Sequence, residues 1–204
     1  MRNRFKVILS IILVFIIFFI VLLVSLSFKH EDKIVYKTLD TIDNYNYTLQ
    51  DRDTKLMEEV FKKLKEVLEN DEIDYKLYAT YLSELFIIDL FTLDNKDNKY
   101  DVGSLEYVYS DIRENYILNV EDTLYKYIVD ISSDDREELP IVSEILEKNI
   151  EETTYTYNEI EYDAYIVSLS WNYVKDLGYP TKGEIIIIKD NNKLFVVSYK
   201  GVEE

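Results

Sequence analysis

The chain has 204 residues, with 40 acidic and 23 basic side chains, one histidine, no cysteine and a formal net charge of −17. The lack of cysteine excludes disulfides, thiolate metal sites, a cysteine nucleophile and a lipid-modified cysteine anchor. Because so acidic a surface repels phosphate backbones, we expect no nucleic-acid partner.

The first predicted element is a membrane-spanning helix at 7–28. This segment carries no charge and follows Arg2, Arg4 and Lys6. As a helix it covers roughly 33 Å, enough to cross a hydrocarbon core of about 30 Å. The alternative is a cleavable secretion signal, but such signals have shorter apolar runs, and the best small-residue pair here is Ser25 and Ser27. We therefore expect an uncleaved, single-pass anchor in the lipid bilayer.

The basic flank predicts the orientation of the anchor, since cytoplasmic flanks carry the excess of Lys and Arg. Residues 1–6 form a cytoplasmic tail, 29–50 a polar juxtamembrane linker, and 51–204 one extracytoplasmic domain of ordinary size. Within the linker, the alternation of Tyr45, Tyr47 and Leu49 allows a short strand. Beyond the anchor, 20 basic residues against all 40 acidic ones give a charge of −20. The simplest explanation of this charge is solubility and repulsion between copies; a basic partner or a cation-binding surface is the alternative.

Helical periodicity comes first in the predicted domain. Apolar residues recur at helical spacing over 55–69, where Asp51, Asp53 or Thr54 can cap the helix, and again from Asp74 onward. The second stretch ends in residues 85–93, which are apolar on nearly all sides and are expected to be buried as a helix end or a short strand. The loop 94–103 is rich in Asp and Asn but lacks the EF-hand spacing, so no calcium site is expected. A third stretch, 104–131, predicts one long helix or two with a kink near Asn119.

Strand periodicity follows. Residues 165–173 alternate between apolar and polar, 153–157 read as a strand before an Asn158–Glu159 turn, and 185–188 and 194–199 flank a second turn. Residues 141–150 fit a helix or a strand; we favour a strand because 153–157 follows without a breaker. The order predicts an α+β fold, with about three helices packed on a curved antiparallel sheet of three to four strands.

This order of elements resembles the nuclear-transport-factor-2-like cone, which membrane-anchored scaffold proteins of conjugation and type IV secretion machines also use. The resemblance covers roughly 51–199 and concerns topology alone. The segments SELFIIDLFTLDN (83–95) and TYTYN (154–158) are also similar to those of uncharacterised single-pass membrane proteins of low-GC Gram-positive bacteria. That resemblance implies a localisation in the cell membrane and no activity.

Residues suited to catalysis are few. The only histidine, His30, lies just beyond the predicted anchor, so a Ser-His-Asp triad inside the domain is excluded unless the chain folds back to the membrane. A zinc site in the domain would lack both His and Cys ligands, and glycine-rich phosphate motifs are absent from the sequence, so we expect no metal and no cofactor. Cone-fold enzymes place an Asp, Tyr or His in their cavity, which makes Asp89, Tyr165, Trp171 and Tyr173 the candidates for a pocket or a contact surface. The favoured alternative makes these aromatic residues core and Asp89 a helix-terminal or loop carboxylate.

The 19 tyrosines suggest a second kind of site. Tyrosine pairs a large apolar body with a polar tip and suits recognition surfaces. We expect partial exposure, and a protein-contact patch, at Tyr107, Tyr125, Tyr155, Tyr157 and Tyr162. Tyrosine enrichment through AT-rich codon usage is the alternative.

These observations predict a non-catalytic interaction or scaffold module of the bacterial cell envelope that binds a protein partner. The alternatives are a cone-fold enzyme that uses a buried Tyr/Asp pair and a carrier or sensor that holds a small apolar ligand.

Overall fold

A computed structural model describes residue 15, residues 17–19 and residues 34–202. The chain divides into two units, Met1–Val35 and Tyr36–Glu204. In the first unit, Phe15 and residues 17–19 are helical and exposed. The rest of the predicted anchor at 7–28, as well as His30, lies outside the described residues. Within the described part of the chain, no helix has the length and apolar character needed to cross a bilayer.

The second unit begins with a small hairpin. Strand β1 (Thr38–Ile42) pairs antiparallel with β2 (Tyr47–Gln50), and a 3-10 turn (Asp43–Tyr45) joins them. Ile42, Tyr47 and Leu49 are buried in the main core, which accounts for the alternation in the sequence. The folded unit therefore starts at Tyr36 and includes residues that we had predicted as linker, because the buried face of this hairpin belongs to the core.

Two helices follow as predicted. Helix α1 (Lys55–Leu68) begins at Thr54, whose side chain accepts a hydrogen bond from the Met57 N–H. Helix α2 (Tyr75–Phe91) begins at Asp74, whose carboxylate accepts bonds from two backbone N–H groups. The two helices pack together, and the apolar end of the second stretch is buried as helix.

The prediction of a long helix over 104–131 was wrong. The structure holds only a 3-10 turn (Ser110–Ile112) and a short helix α3 (Arg113–Asp122) there. Upstream of α3 the chain is extended: the Tyr109 N–H donates to the Val196 carbonyl at 3.0 Å, and the Val196 N–H donates to the Tyr107 carbonyl at 2.9 Å. Backbone pairing to a neighbouring strand thus satisfies the groups that a helix would have used, and it overrides the local apolar periodicity.

The predicted antiparallel meander is confirmed. Strands β3 (Val142–Tyr157), β4 (Ile160–Tyr173), β5 (Lys182–Asp190) and β6 (Lys193–Gly201) pair in sequence order. Residues 142–150 are strand rather than helix, and Asn158 and Glu159 form the first turn at φ values of 48° and 65°. The second unit is therefore α+β, with three α-helices, this four-stranded sheet and the small hairpin that the sequence had only suggested.

Apolar side chains cover both faces of the four-stranded sheet. On the inner face, Val167, Leu169 and Trp171 join the main core with α1 and α2, and the Trp171 ring lies 5.1 Å from that of Phe91. On the outer face, Ala164 and Ile188 belong to a second, smaller cluster. The alternation of strand side chains explains this division, since successive residues point to opposite faces.

Candidate functional site

Asp89, the predicted carboxylate candidate, lies in an ion pair near the end of α2. Lys96 Nζ lies 2.5 Å from Asp89 Oδ1, and the backbone N–H of Ser104 donates to Oδ2. Burial raises the pKa of Asp89, but the charge and hydrogen bond of Lys96, together with the Ser104 N–H and Arg52, outweigh burial and hold the pKa below its ordinary value. This arrangement fixes the loop after α2 to the helix, a structural role.

The three aromatic candidates do not converge on Asp89. Trp171 is fully buried against Phe91, Tyr165 is half-buried on the inner face, and the Tyr173 hydroxyl donates to the Pro180 carbonyl at 2.7 Å. Tyr173 lines an open hollow of about 700 Å³ between the end of β4 and the loop before β5. Of the three aromatic residues that we expected in the core, Trp171 fits the prediction best and Tyr173 fits it least.

The predicted partial exposure of five tyrosines is confirmed for three of them and wrong for two. Tyr107 and Tyr125 are fully buried, and Tyr125 is fixed there by hydrogen bonds to the Leu90 carbonyl and from the Gly103 N–H. Tyr155, Tyr157 and Tyr162 are half-buried, as expected for a contact surface.

These three tyrosines belong to an aromatic group on the outer face of the sheet. We call it the outer-face patch: Tyr109, Tyr155, Tyr157, Tyr162 and Phe195. The Tyr109 ring lies 5.8 Å from the Tyr157 ring, 6.4 Å from the Tyr162 ring and 5.5 Å from the Phe195 ring, in edge-to-face geometry. Sheet register accounts for the group, since Tyr155 pairs directly with Tyr162 and the extended segment at Tyr109 runs beside β6.

A hollow adjoins the patch at Phe195. It has a volume of about 420 Å³, and most of its lining comes from two turns. The lining residues are Asn44, Tyr45, Asp190, Asn191, Asn192, Lys193 and Phe195. Lys193 Nζ donates to the Tyr45 carbonyl and lies 5.1 Å from the centre of the Phe195 ring and 4.5 Å from that of Tyr47. Burial lowers the pKa of Lys193, and the charge of Glu106 opposes that effect. A polar rim thus adjoins the aromatic surface.

Glu106 is a partly buried carboxylate that the sequence did not single out. Its two oxygens accept bonds from the Thr48 N–H, both at 3.2 Å, and the Thr48 hydroxyl donates to one of them at 3.0 Å. Burial raises the pKa of Glu106 to about 7 despite these bonds. Among 40 acidic residues, nothing in the sequence marks this one, because its burial depends on contacts with the distant β2 strand.

In the described part of the chain, no group of three or more His, Asp or Glu residues is arranged to hold a metal ion. Comparison with known proteins adds no relative: no protein family, no curated protein and no solved structure matches the chain.

Proposed function

We propose that the chain is a non-catalytic, membrane-anchored interaction or scaffold module of the bacterial cell envelope. In this proposal the segment 7–28 anchors the chain in the cell membrane, residues 1–6 lie in the cytoplasm, and the unit that starts at Tyr36 binds a protein partner outside the cytoplasm. The acidic, cysteine-free composition and the basic flank before the apolar segment support this topology.

The outer-face patch is the observation that carries the proposal. Its residues leave part of their rings in solvent, and the Tyr109 ring contacts three of the other rings, so that the partly exposed aromatic residues form one group. Protein interfaces are enriched in tyrosine, whose ring supplies contact area at low entropic cost while its hydroxyl finds polar partners. The polar turns beside Phe195 supply the rim that such an interface needs.

The state of Asp89 argues against the Tyr/Asp enzyme. A general acid or base works best with a pKa near the operating pH, whereas Lys96 holds the pKa of Asp89 below the ordinary carboxyl value. The remaining alternative, a carrier or sensor that holds a small apolar ligand, would need an enclosed apolar cavity, whereas the two hollows described above are open to solvent. The likeness to the cone fold itself rests on element order alone.

Site-specific photo-crosslinking tests the proposed function. A photoreactive phenylalanine analogue replaces Tyr157 in the outer-face patch or, as the control, Tyr127, which is 81 % exposed and lies outside the patch. In membranes of the native host, we expect a discrete protein adduct from position 157 and none from position 127. Absence of an adduct at 157, or the same adduct from both positions, would contradict the proposal.

A further inference from the structure

Strand β3 lies at the edge of the four-stranded sheet, with β4 on one side only. At the opposite edge, a single bridge joins Val108 to Val196 in the middle of β6. At the β3 edge the Val142 N–H donates to Thr92 Oγ1 at 3.3 Å, and the later part of this 16-residue strand is open. An open edge presents unpaired N–H and C=O groups to which an extended chain can bind.

Hairpin geometry identifies the outward-facing backbone groups. Tyr157 pairs with Ile160 across the two-residue turn, and in such hairpins the pair next to the turn is hydrogen-bonded. Because bonded and non-bonded pairs alternate, the groups that point away from β4 belong to Lys148, Ile150, Glu152, Thr154 and Thr156. In the part of the chain that the structure describes, no hydrogen bond from another element reaches the backbone of these five residues.

The regular part of β3 lacks the usual protection of an edge strand. Both register shifts between β3 and β4 lie before Lys148, and pairing is continuous from Lys148 to Tyr157. Residues 149–157 contain no Pro and no Lys, and 153–157 are uncharged Thr and Tyr. Natural edges are commonly blunted by bulges, Lys or Pro, so this stretch is unusually open to pairing.

The charge of β3 indicates which kind of strand can pair with it. Beside its one lysine, β3 carries four glutamates, Glu144, Glu147, Glu151 and Glu152, of which Glu152 already pairs with Lys76 Nζ at 2.8 Å. Lys148 is already engaged, since its Nζ lies 2.5 Å from a carboxylate oxygen of the buried Glu84. A second copy of β3 would bring like charges together, whereas a basic strand would find opposite ones.

We propose that the free edge of β3 binds an extended, basic segment of a partner protein, which adds to the sheet as a fifth strand. This inference rests on the proposed function and names the chemistry of the partner. The added strand lies beside Tyr155 and Tyr157, so its side chains on the outer face extend the outer-face patch. A lysine or arginine of the added strand lies near Glu151 on the outer face of the sheet, since Glu152 on the inner face already pairs with Lys76.

A model peptide tests the proposal on the full chain in detergent micelles. The probe is an eight-residue peptide in which lysine alternates with threonine or valine, and the matched controls are a glutamate-for-lysine peptide and a peptide N-methylated on alternate backbone amides. We expect saturable binding of the basic peptide alone, with slowed amide hydrogen exchange across 148–156. Binding of all three peptides with equal affinity, or of none, would overturn the proposal.

Two variants at one position locate the binding edge. Thr154→Pro removes an outward N–H while it leaves the ladder to β4 intact, and Thr154→Ala is the matched control. We expect affinity for the basic peptide to fall at least tenfold in Thr154→Pro and to change less than about twofold in Thr154→Ala. Equal affinity in both variants would overturn the proposal. If Thr154→Pro does not fold, the N-methylated peptide decides the question on the unaltered chain.

The two proposals can fail separately. If the chain binds no basic peptide but still forms crosslinks from position 157, strand addition is wrong and the proposal of an interaction module is unaffected. Peptide binding at β3 without any crosslink from position 157 in native membranes would support the open edge and contradict the proposed function.

Discussion

Replacement of Lys96 by methionine would test whether the Asp89 pair is a structural element of the fold. Lys96 is fully buried, its Nζ lies 2.5 Å from Asp89 Oδ1, and the Asp89 side chain is 19 % exposed. Methionine keeps most of the length and apolar volume of lysine, so the packing loss is small. The principal effect is a buried carboxylate without its counter-charge.

The expected loss follows from that geometry. Removal of one partner from a buried ion pair costs about 3 to 5 kcal/mol, because the other charge remains without compensation. Asp89 keeps the Ser104 N–H and some contact with solvent, which places the loss near the lower end. We expect Lys96→Met to lower the free energy of unfolding by about 3 kcal/mol at neutral pH.

Urea unfolding, followed by the fluorescence of Trp171, measures this loss. Trp171 is the only tryptophan and is fully buried, so its emission reports on the core. The control is Lys62→Met, which removes an exposed pair with Glu58 on α1 and should cost far less than Lys96→Met, because solvent screens that pair.

The pH dependence has a definite sign. Since the pKa of Asp89 is lowered in the folded protein, the pair stabilises the fold above the ordinary Asp range, and this contribution is lost as pH falls through the lowered pKa. The difference between the wild-type chain and Lys96→Met should therefore be largest at neutral pH and shrink in acid. A cost at neutral pH no larger than that of Lys62→Met would refute the reasoning.

Three further predictions address the buried polar groups and the topology. Glu106 has a pKa of about 7 in the folded protein against an ordinary value of 4.5, so it destabilises the fold as pH rises between these values. Between about pH 5 and pH 8, the free energy of unfolding of the wild-type chain, measured by urea titration, should fall by about 2 to 3 kcal/mol more than that of Glu106→Gln. The same pH dependence in both proteins would contradict this prediction. The buried Tyr199 hydroxyl has no hydrogen-bond partner within the described residues, so Tyr199→Phe should leave the melting temperature unchanged or raise it. Tyr125→Phe loses a hydrogen bond of 2.9 Å to the Leu90 carbonyl and should lower the free energy of unfolding by about 1 kcal/mol. A larger loss of stability in Tyr199→Phe than in Tyr125→Phe would contradict these hydrogen-bond assignments. Protease added to intact host cells without their wall should digest everything after the anchor, and full protection would refute the proposed orientation.

The sequence predicts best those elements in which each face of the helix or strand meets a single environment, either the core or solvent. Helix α1 keeps a single apolar stripe, and β4 alternates strictly around Trp171, so local periodicity and burial agree. The meander follows because its strands are consecutive and joined by turn residues such as Asn158, which tolerates positive φ.

The features that escape prediction depend on distant contacts. Residues 105–109 have a helix-like pattern, yet 105–107 form a turn, and the Tyr107 carbonyl and the Tyr109 N–H pair with Val196, which lies far along the chain. Tyr107 is buried for the same reason, and the hairpin β1–β2 joins the core although its composition is that of a polar linker. Tertiary pairing of this kind leaves no trace in local spacing.

The candidate site was predicted in part. Tyr155, Tyr157 and Tyr162 were expected to be partly exposed, but their convergence with Tyr109 and Phe195 requires the register of the sheet. Asp89 was named as a candidate without its partner, since nothing in the spacing shows that Lys96 becomes fully buried beside it.

The most direct test of the interaction module measures partner affinity in an outer-face variant. The protein captured by crosslinking at position 157 is purified, and its affinity is compared for the wild-type chain, the double variant Tyr157→Ser/Tyr162→Ser and the control Tyr127→Ser. Interface tyrosines near the centre of a contact are worth about 1 to 2 kcal/mol each, so the double variant should lose at least about tenfold in affinity while the control stays within about twofold. Equal affinity of all three proteins would contradict a partner-binding role for the outer-face patch.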